Sequence, residues 1–272
     1  MSEQDRHCTR EATMTLSRYG GDGHFLGVAG TGTGKTSSIV FPTALDDDSR
    51  SMILNDPKAT LYWAYNKQAR AWIGTAGYRA TLGKVVRLAP FETETDVYNP
   101  WDSIRLNTDD EYGDAELLAH YLTNPEDKEN QDETSKHFQN LANQVVAGVF
   151  LYGLHSGAAT TGAAFDDLLT RSSWEDLLNV MAAHEHPLVQ RAAGIARMPA
   201  DRELGSLKTT LANALRIFAD PRIERFTSDS TFHLTDLRED KEPCTVYVTI
   251  PFGQGKRLPP VARLLFAQRL TY

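Results

Sequence analysis

The sequence predicts an α/β fold in which a parallel sheet carries an all-helical insertion. Three observations lead to this prediction. The stretch "HFLGVAGTGTGKTSSIVFPTAL" has the pattern of a strand, a glycine-rich turn and a helix. Two more short apolar runs follow it at the spacing of alternating strands and helices. Residues 114–226 then show helical periodicity, and "EPCTVYVTIP" returns to the β-branched and aromatic residues of a strand.

Strands and helices are expected to alternate in the first part of the chain. "SMILND" and "KVVRLAP" are short and apolar, as buried strands are, whereas "ATLYWAYNKQARAWIG" between them predicts a crossover helix that Gly74 ends. Such spacing is typical of a parallel sheet with crossover helices. The predicted order is strand 24–29, helix 35–45, strand 51–56, helix 59–74 and strand 84–90.

The central part of the chain is expected to be entirely helical. Ser172 or Ser173 is a candidate N-cap for a helix that begins near Trp174, and Asp201 is a candidate cap for a later one. A strand within 242–251 and a helix opened by two prolines follow. One long helix places these residues on one face: Phe138, Leu141, Ala142, Val145, Val149 and Tyr152.

The composition is that of an ordinary globular protein in a reducing compartment. Cys8 and Cys244 are far apart and form neither a disulfide framework nor a zinc-site spacing. No apolar run is long enough to span a bilayer, and no signal-peptide core is present, which predicts a cytosolic chain. The net charge is −8, but residues 109–133 alone hold ten carboxylates and one lysine. This acidic run is interpreted as a solvated surface or loop.

The glycine-rich turn has the residues of a phosphate loop. A bound triphosphate needs inward backbone N–H groups, a lysine for the β- and γ-oxygens, and a hydroxyl for Mg²⁺. Lys35 supplies the charge, Thr36 supplies the metal-ligating hydroxyl, and the glycines supply the backbone freedom. Ala29 stands where the common pattern opens with glycine, which is tolerable because the close approach falls on later glycines. The predicted ATP-binding residues are Ala29, Gly30, Thr31, Gly32, Thr33, Gly34, Lys35, Thr36 and Ser37.

Hydrolysis requires a strand-end carboxylate in addition to Lys35. Asp56 is the only carboxylate that closes an apolar strand, so it is a candidate catalytic residue and Mg²⁺ ligand, directly or through water. Capping of the next helix explains it equally well. No apolar run that ends in Asp-Glu occurs in the sequence.

Two further groups have competing interpretations. Tyr62, Trp63, Tyr65 and Trp72 would suit base stacking, but their place on a predicted helix favours packing against the sheet. The histidines of "HEH" at 184–186 are two residues apart, so they do not share a helix face. With no third ligand apparent, they are interpreted as surface residues rather than as a metal site.

The order of these motifs resembles the TraG/TraD-like coupling ATPases of conjugative type IV secretion systems. The resemblance rests on "GHFLGVAGTGTGKT", "ILNDPK" and "GKVVRLAPF…YNPWDSI" in the first part of the chain. It continues with "HPLVQRAAGIARMPADRELGSLKTTLANALRIFADPRIERF" and "FHLTDLREDKEPCTVYVTIPFGQGKRLPPVARLLFAQRL". Together these stretches cover the chain from about Tyr19 to Tyr272.

The resemblance implies a RecA-like P-loop NTPase with an all-α domain. Its implied role is to couple ATP hydrolysis to delivery of a relaxase–DNA complex to the secretion channel. The resemblance also implies that the complete protein is a homo-hexamer at the inner face of the bacterial inner membrane. The implied division is a tail at 1–18, a nucleotide-binding part at 19–105, an all-α domain at 106–234 and a second nucleotide-binding part at 235–272.

The resemblance also predicts that this chain is a shortened coupling protein. Family members usually begin with transmembrane helices, and their Asp-Glu pair lies on a strand beyond the "LLFAQRL" helix, whereas this sequence stops at Tyr272. The alternative function is therefore an ATP-binding module without turnover that assembles with a complete homologue. A small-molecule kinase is a third interpretation, which the helical insertion and the lack of an arginine-rich lid disfavour.

Overall fold

The computed structural model describes most of the chain between residues 34 and 251. The described residues are 28, 30, 34–63, 65–66, 71–72, 74–123, 133–171, 173–198, 201–238 and 242–251. The strands are β1 (Met52–Asn55), β2 (Tyr65–Asn66), β3 (Ala71–Trp72), β4 (Val85–Leu88) and β5 (Thr245–Val248). The helices are α1 (Phe41–Asp46), α2 (Thr75–Arg79), α3 (Glu111–Thr123), α4 (Glu133–Ser156), α5 (Gly162–Arg171), α6 (Trp174–Ala182), α7 (Pro187–Ala196), α8 (Asp201–Leu215) and α9 (Pro221–Phe226).

Three of the strands form a parallel sheet in the order β1-β5-β4. The last of the described strands, β5, lies in the middle, with Val246 opposite both Ile53 and Val86. All four residues of β5 are buried, because a central parallel strand is covered on both faces. The predicted parallel sheet is confirmed, and all three strands fall within their predicted segments.

The helix predicted over residues 59–74 is wrong. The chain makes one turn after β1 and then forms the antiparallel hairpin of β2 and β3. Ala59 has φ +53°, in the left-handed region, which a continuing right-handed helix does not accept. Gly74 lies at the N-cap of α2 rather than at a helix end. A Cβ atom there would lie 1.7 Å from the carbonyl oxygen of Tyr62, so this close approach requires glycine.

The predicted core position of the aromatic residues is only partly correct. Tyr62 packs edge-to-face on Tyr247 of β5, with ring centroids 5.2 Å apart. Trp63 is 51% exposed, because the turn directs it away from the sheet. The side chains of Tyr65 and Trp72 lie outside the described part of the structure.

The predicted helical centre is confirmed for the described residues between Glu111 and Phe226, whose regular elements are all helices. Helix α4 lies at its core, with Val145 and Val149 of the predicted apolar face fully buried. Gly148 allows α7 to approach, since a Cβ atom there would lie 2.0 Å from the Cβ of Ala192. The Ser173 cap is confirmed, because its hydroxyl accepts a hydrogen bond from the Asp176 N–H at 3.1 Å.

Among the described residues, the larger of two hydrophobic clusters joins the sheet to the helical centre. Trp101 stacks with Phe165 at 5.2 Å and meets Phe150 and Phe218 edge-on. The same cluster includes residues of β4 and β5. The predicted domain limits, including the tail at 1–18 and the final helix, remain predictions. None of the helices in the described ranges is both long enough and apolar enough to cross a membrane.

Candidate nucleotide-binding site

The end of the glycine loop leads directly into a helix. Gly34 has φ +83°, and a Cβ atom there would lie 3.3 Å from Ser37 Oγ and 3.4 Å from Ser38 Oγ. The Ser38 N–H donates to the Gly34 carbonyl at 2.8 Å, which begins the helical hydrogen bonding. Only glycine adopts this backbone without strain. Ala29, Thr31, Gly32 and Thr33 lie outside the described residues.

The side chains after Gly34 include the two groups that the sequence analysis assigns to the phosphates and to Mg²⁺. The Lys35 Nζ donates to the Gly30 carbonyl at 2.6 Å. Thr36 is the first residue of the following turn and is exposed. Ser37 Oγ donates to the Gly34 carbonyl at 2.9 Å. An ammonium group and an accessible hydroxyl therefore stand beside the N–H groups of a helix start.

The first part of this helix contains a π-turn. It spans Thr36–Val40, and the Phe41 N–H donates to the Thr36 carbonyl. Pro42 follows it and has no N–H group to donate to the Ser38 carbonyl. Helical structure continues to Asp46, which confirms the predicted helix over residues 35–45.

The expected burial before the loop is wrong at Val28. This residue is 87% exposed and belongs to no strand. Burial at this point needs a paired neighbouring strand, and the described part of the sheet pairs neither outer strand, β1 or β4, with residue 28. The other residues of the predicted strand 24–29 lie outside the described ranges.

Both oxygens of the Asp56 carboxylate are occupied by the turn that follows it. Oδ1 accepts from the N–H of Thr60 at 2.9 Å and from its hydroxyl at 3.3 Å. Oδ2 accepts from the N–H groups of Leu61 at 2.8 Å and Tyr62 at 3.0 Å. Asp56 is 2% exposed. This geometry is that of a capping carboxylate, although the element it caps is a turn rather than the predicted helix.

Buried polar contacts hold α2 against the sheet. The Arg79 guanidinium donates to Thr245 Oγ1 at 2.7 Å, to the Arg50 carbonyl at 2.7 Å and to the Asp47 carbonyl. Thr75 Oγ1 and the Tyr247 hydroxyl are 2.7 Å apart. Burial raises the pKa of Tyr247. These contacts fix the segment between the phosphate-loop helix and β4.

The acidic run is not uniformly solvated, which corrects the sequence interpretation. Asp114 is buried and accepts from Arg105 Nε at 2.8 Å and Nη2 at 2.9 Å. Glu111 is also buried and contacts the Nε2 atoms of His155 and of His186, the latter at 3.3 Å. Burial is the main cause that lowers the pKa of His186. His186 is therefore partly buried and contacts Glu111, rather than being the plain surface residue that the sequence indicates.

The family model for type IV secretory system conjugative DNA transfer matches residues 3–272. The chain belongs to this family. It is 31% identical over 271 residues to a conjugal transfer protein TraG of Escherichia coli, covering 94% of this chain and 40% of the relative. A VirD4 protein of Rhizobium radiobacter is 29% identical over 255 residues, which cover 91% of this chain and 34% of the relative. The chain thus spans between about a third and two fifths of the length of these curated relatives. The resemblance to coupling proteins drawn from the motifs is confirmed.

Solved structures of the plasmid coupling protein TrwB share the fold. One is a complex with a non-hydrolysable GTP analogue, with a TM-score of 0.60 and 13% identity, covering 89% of this chain and 50% of that one. Another is a complex with ADP and Mg²⁺, with a TM-score of 0.58 and 14% identity over 89% and 50% of the chains. At this identity the likeness establishes the fold, and the predicted RecA-like P-loop NTPase fold is confirmed.

Proposed function

We propose that this chain is the ATP-binding part of a coupling protein, in which residues 29–37 hold the phosphates. The observation that carries the proposal is the backbone at Gly34, whose left-handed φ of +83° is followed at once by Lys35 and a helix start. The N–H groups at this helix start would cradle the phosphates, and the Lys35 ammonium would exchange the Gly30 carbonyl for phosphate oxygens.

Magnesium is the expected companion of the nucleotide. The Thr36 hydroxyl is accessible, and a hydroxyl directly after the loop lysine is the usual protein ligand of Mg²⁺ in phosphate loops. The bound ion would neutralise charge on the β- and γ-phosphates. The TrwB complex with ADP and Mg²⁺ supports this assignment by analogy of fold.

The proposed role of the nucleotide is to drive conjugative DNA transfer. Membership of the family and the TraG and VirD4 relatives support ATP hydrolysis coupled to delivery of a relaxase–DNA complex to the secretion channel. Assembly into a hexamer and a position at the inner face of the bacterial inner membrane belong to the same proposal. They concern the whole coupling protein, of which the chain spans a part.

A second candidate function is ATP binding without turnover by this chain alone. Its support is Asp56, whose two oxygens already accept four hydrogen bonds from the turn. Within the described residues, β4 and β5 are followed by Ala89 and Thr249, which cannot act as a base for water. We therefore assign Asp56 a structural role, and its role as a Mg²⁺ ligand becomes the alternative.

Steady-state ATP turnover with and without DNA separates the two candidates. The protein is compared with Lys35→Ala, and Lys208→Ala on helix α8 serves as the matched lysine control. A working motor would show DNA-stimulated turnover that falls at least about a hundredfold in Lys35→Ala and is unchanged in Lys208→Ala. Turnover no faster than that of Lys35→Ala, together with normal ATP affinity, would establish the binding-only function. Absence of ATP binding would refute both candidates.

A further inference from the structure

Three helix ends bring a carboxylate and two imidazoles together away from the phosphate loop. Glu111 begins α3, His155 lies in the last turn of α4, and His186 is the N-cap of α7. The ligand atoms of these three residues all lie within 4.8 Å of one another. Their positions are set by the packing of α3 and α7 on α4 rather than by a local sequence motif.

The distances between the ligand atoms suit the coordination of a small cation. A tetrahedral zinc ion with bonds of 2.0–2.1 Å places its ligand atoms about 3.3 Å apart. The His186 Nε2 and Glu111 Oε1 atoms are already 3.3 Å apart. His155 Nε2 is hydrogen-bonded to the same oxygen, and the two imidazole rings stack with centroids 4.5 Å apart. Opening that one hydrogen bond by about 1 Å gives three ligands in reach of one ion.

Hydrogen bonding orients the carboxylate toward the two histidines. The other Glu111 oxygen, Oε2, accepts from the Asn107 N–H at 2.7 Å, which leaves Oε1 facing the histidines. Both imidazoles present Nε2 to this same oxygen, so one carboxylate oxygen and two ring nitrogens converge within 4.8 Å of one another.

We propose that Glu111, His155 and His186 form a zinc site that links the ends of α3, α4 and α7. Two imidazoles and one carboxylate suit a borderline-soft ion such as Zn²⁺, whereas Mg²⁺ and Ca²⁺ prefer sites made of oxygen ligands. A water molecule completes the fourth position. The site is separate from the phosphate loop, and it is independent of ATP binding or turnover.

Metal binding by the whole chain tests the proposal directly. The protein is freed of metal with a chelator and titrated with Zn²⁺ in competition with a chromogenic chelator. We expect one ion per chain with a dissociation constant below about 10 μM, because the folded helices already hold the three ligands close together. His155→Gln and His186→Gln should each weaken binding at least about tenfold. His233→Gln, at the exposed cap of the turn Leu234–Leu237, should leave it unchanged.

Thermal unfolding gives a second readout that does not depend on the chelator. Zn²⁺ at a hundredfold excess over its dissociation constant should raise the melting temperature by about 5 °C in the unaltered protein. This shift should disappear in the His155 and His186 variants. Glu111→Gln keeps an oxygen for the Asn107 N–H, so it should remain folded while it loses the shift. Cobalt in place of zinc should give the visible absorption of a tetrahedral site.

Two results would overturn the proposal. One is zinc binding in the unaltered protein that is no tighter than in His155→Gln. The other is a melting shift that persists when all three ligands are replaced, since the ion would then bind elsewhere in the chain. A failure of ATP binding in the same preparations bears on the nucleotide site and leaves this test unaffected.

Discussion

Replacing Asp56 tests whether this residue supports the fold or the metal. In Asp56→Ala, the N–H groups of Thr60, Leu61 and Tyr62 lose the carboxylate that accepts from them. Hydrogen bonds to charged groups contribute about 1.5–3 kcal/mol each, and water recovers part of this where the turn is only part-buried. Because the Leu61 bond is buried, we expect a loss of about 3 kcal/mol in the free energy of unfolding.

Asp56→Asn should have a smaller effect, because it keeps one of the two accepting oxygens. Its amide places a donor against backbone donors, which predicts a loss of about 1.5 kcal/mol. Urea unfolding followed by circular dichroism measures both variants, with the exposed Asp48→Ala as a control that should stay within about 0.5 kcal/mol.

Nucleotide affinity completes the Asp56 test. If Asp56 supports the turn, the folded variants should bind ATP with Mg²⁺ within about threefold of the unaltered protein. Unchanged stability together with a loss of affinity that appears only when Mg²⁺ is present would refute the structural assignment. Asp56 would then be a metal ligand.

Three further substitutions test the fold and the loop. Gly34→Ala should lower ATP affinity at least about tenfold, because the φ of +83° at this position disfavours a side chain. Gly77→Ala is the control, since its Cβ atom meets open space, and it should leave ATP affinity unchanged. Equal affinities of the two variants by titration calorimetry would contradict this. Arg79→Ala should cost about 3 kcal/mol in urea unfolding, since it removes one buried and two part-buried hydrogen bonds. A loss under about 1 kcal/mol would argue against it. Gly148→Ala should lower the melting temperature by about 5 °C, because the added methyl group separates α4 from α7. Gly113→Ala is the control and should leave the melting temperature unchanged. Equal melting temperatures of the two variants would show that α4 and α7 accommodate the methyl group without loss of stability.

The sequence predicts the parallel strands well because their burial leaves a direct signature. Val85–Leu88 and Thr245–Val248 are short, apolar and β-branched, as strands covered on both faces must be. The order β1-β5-β4 is not readable in the same way, because β5 is distant in sequence from both of its neighbours. The β-branched and aromatic residues of 242–251 predict a returning strand, but the pattern does not tell which neighbours it pairs with.

The hairpin after β1 could not be predicted from helical propensity. Residues 59–74 contain good helix formers, but the Asp56 carboxylate takes up the first N–H groups and Ala59 adopts a left-handed backbone. These are tertiary and local side-chain effects, which override propensity. The exposure of Trp63 follows from the same turn.

The polar cluster of Glu111, His155 and His186 had no sequence signal of its own. Glu111 and His155 are 44 residues apart, and only the packing of three helix ends brings them together. The "HEH" motif marks His186, but its partners come from other helices. The burial of Glu111 at the first position of α3 is not readable from the acidic run, because it depends on the same packing.

The affinity of the chain for ATP, ADP and AMP tests the central claim most directly. If residues 29–37 form a phosphate loop, ATP and ADP should bind at least about a hundredfold more tightly than AMP in the presence of Mg²⁺. Lys35→Ala should remove most of this difference while leaving the melting temperature of the free protein unchanged. Equal affinity for the three nucleotides, or an ATP affinity that Lys35→Ala does not alter, would contradict the assignment of this loop.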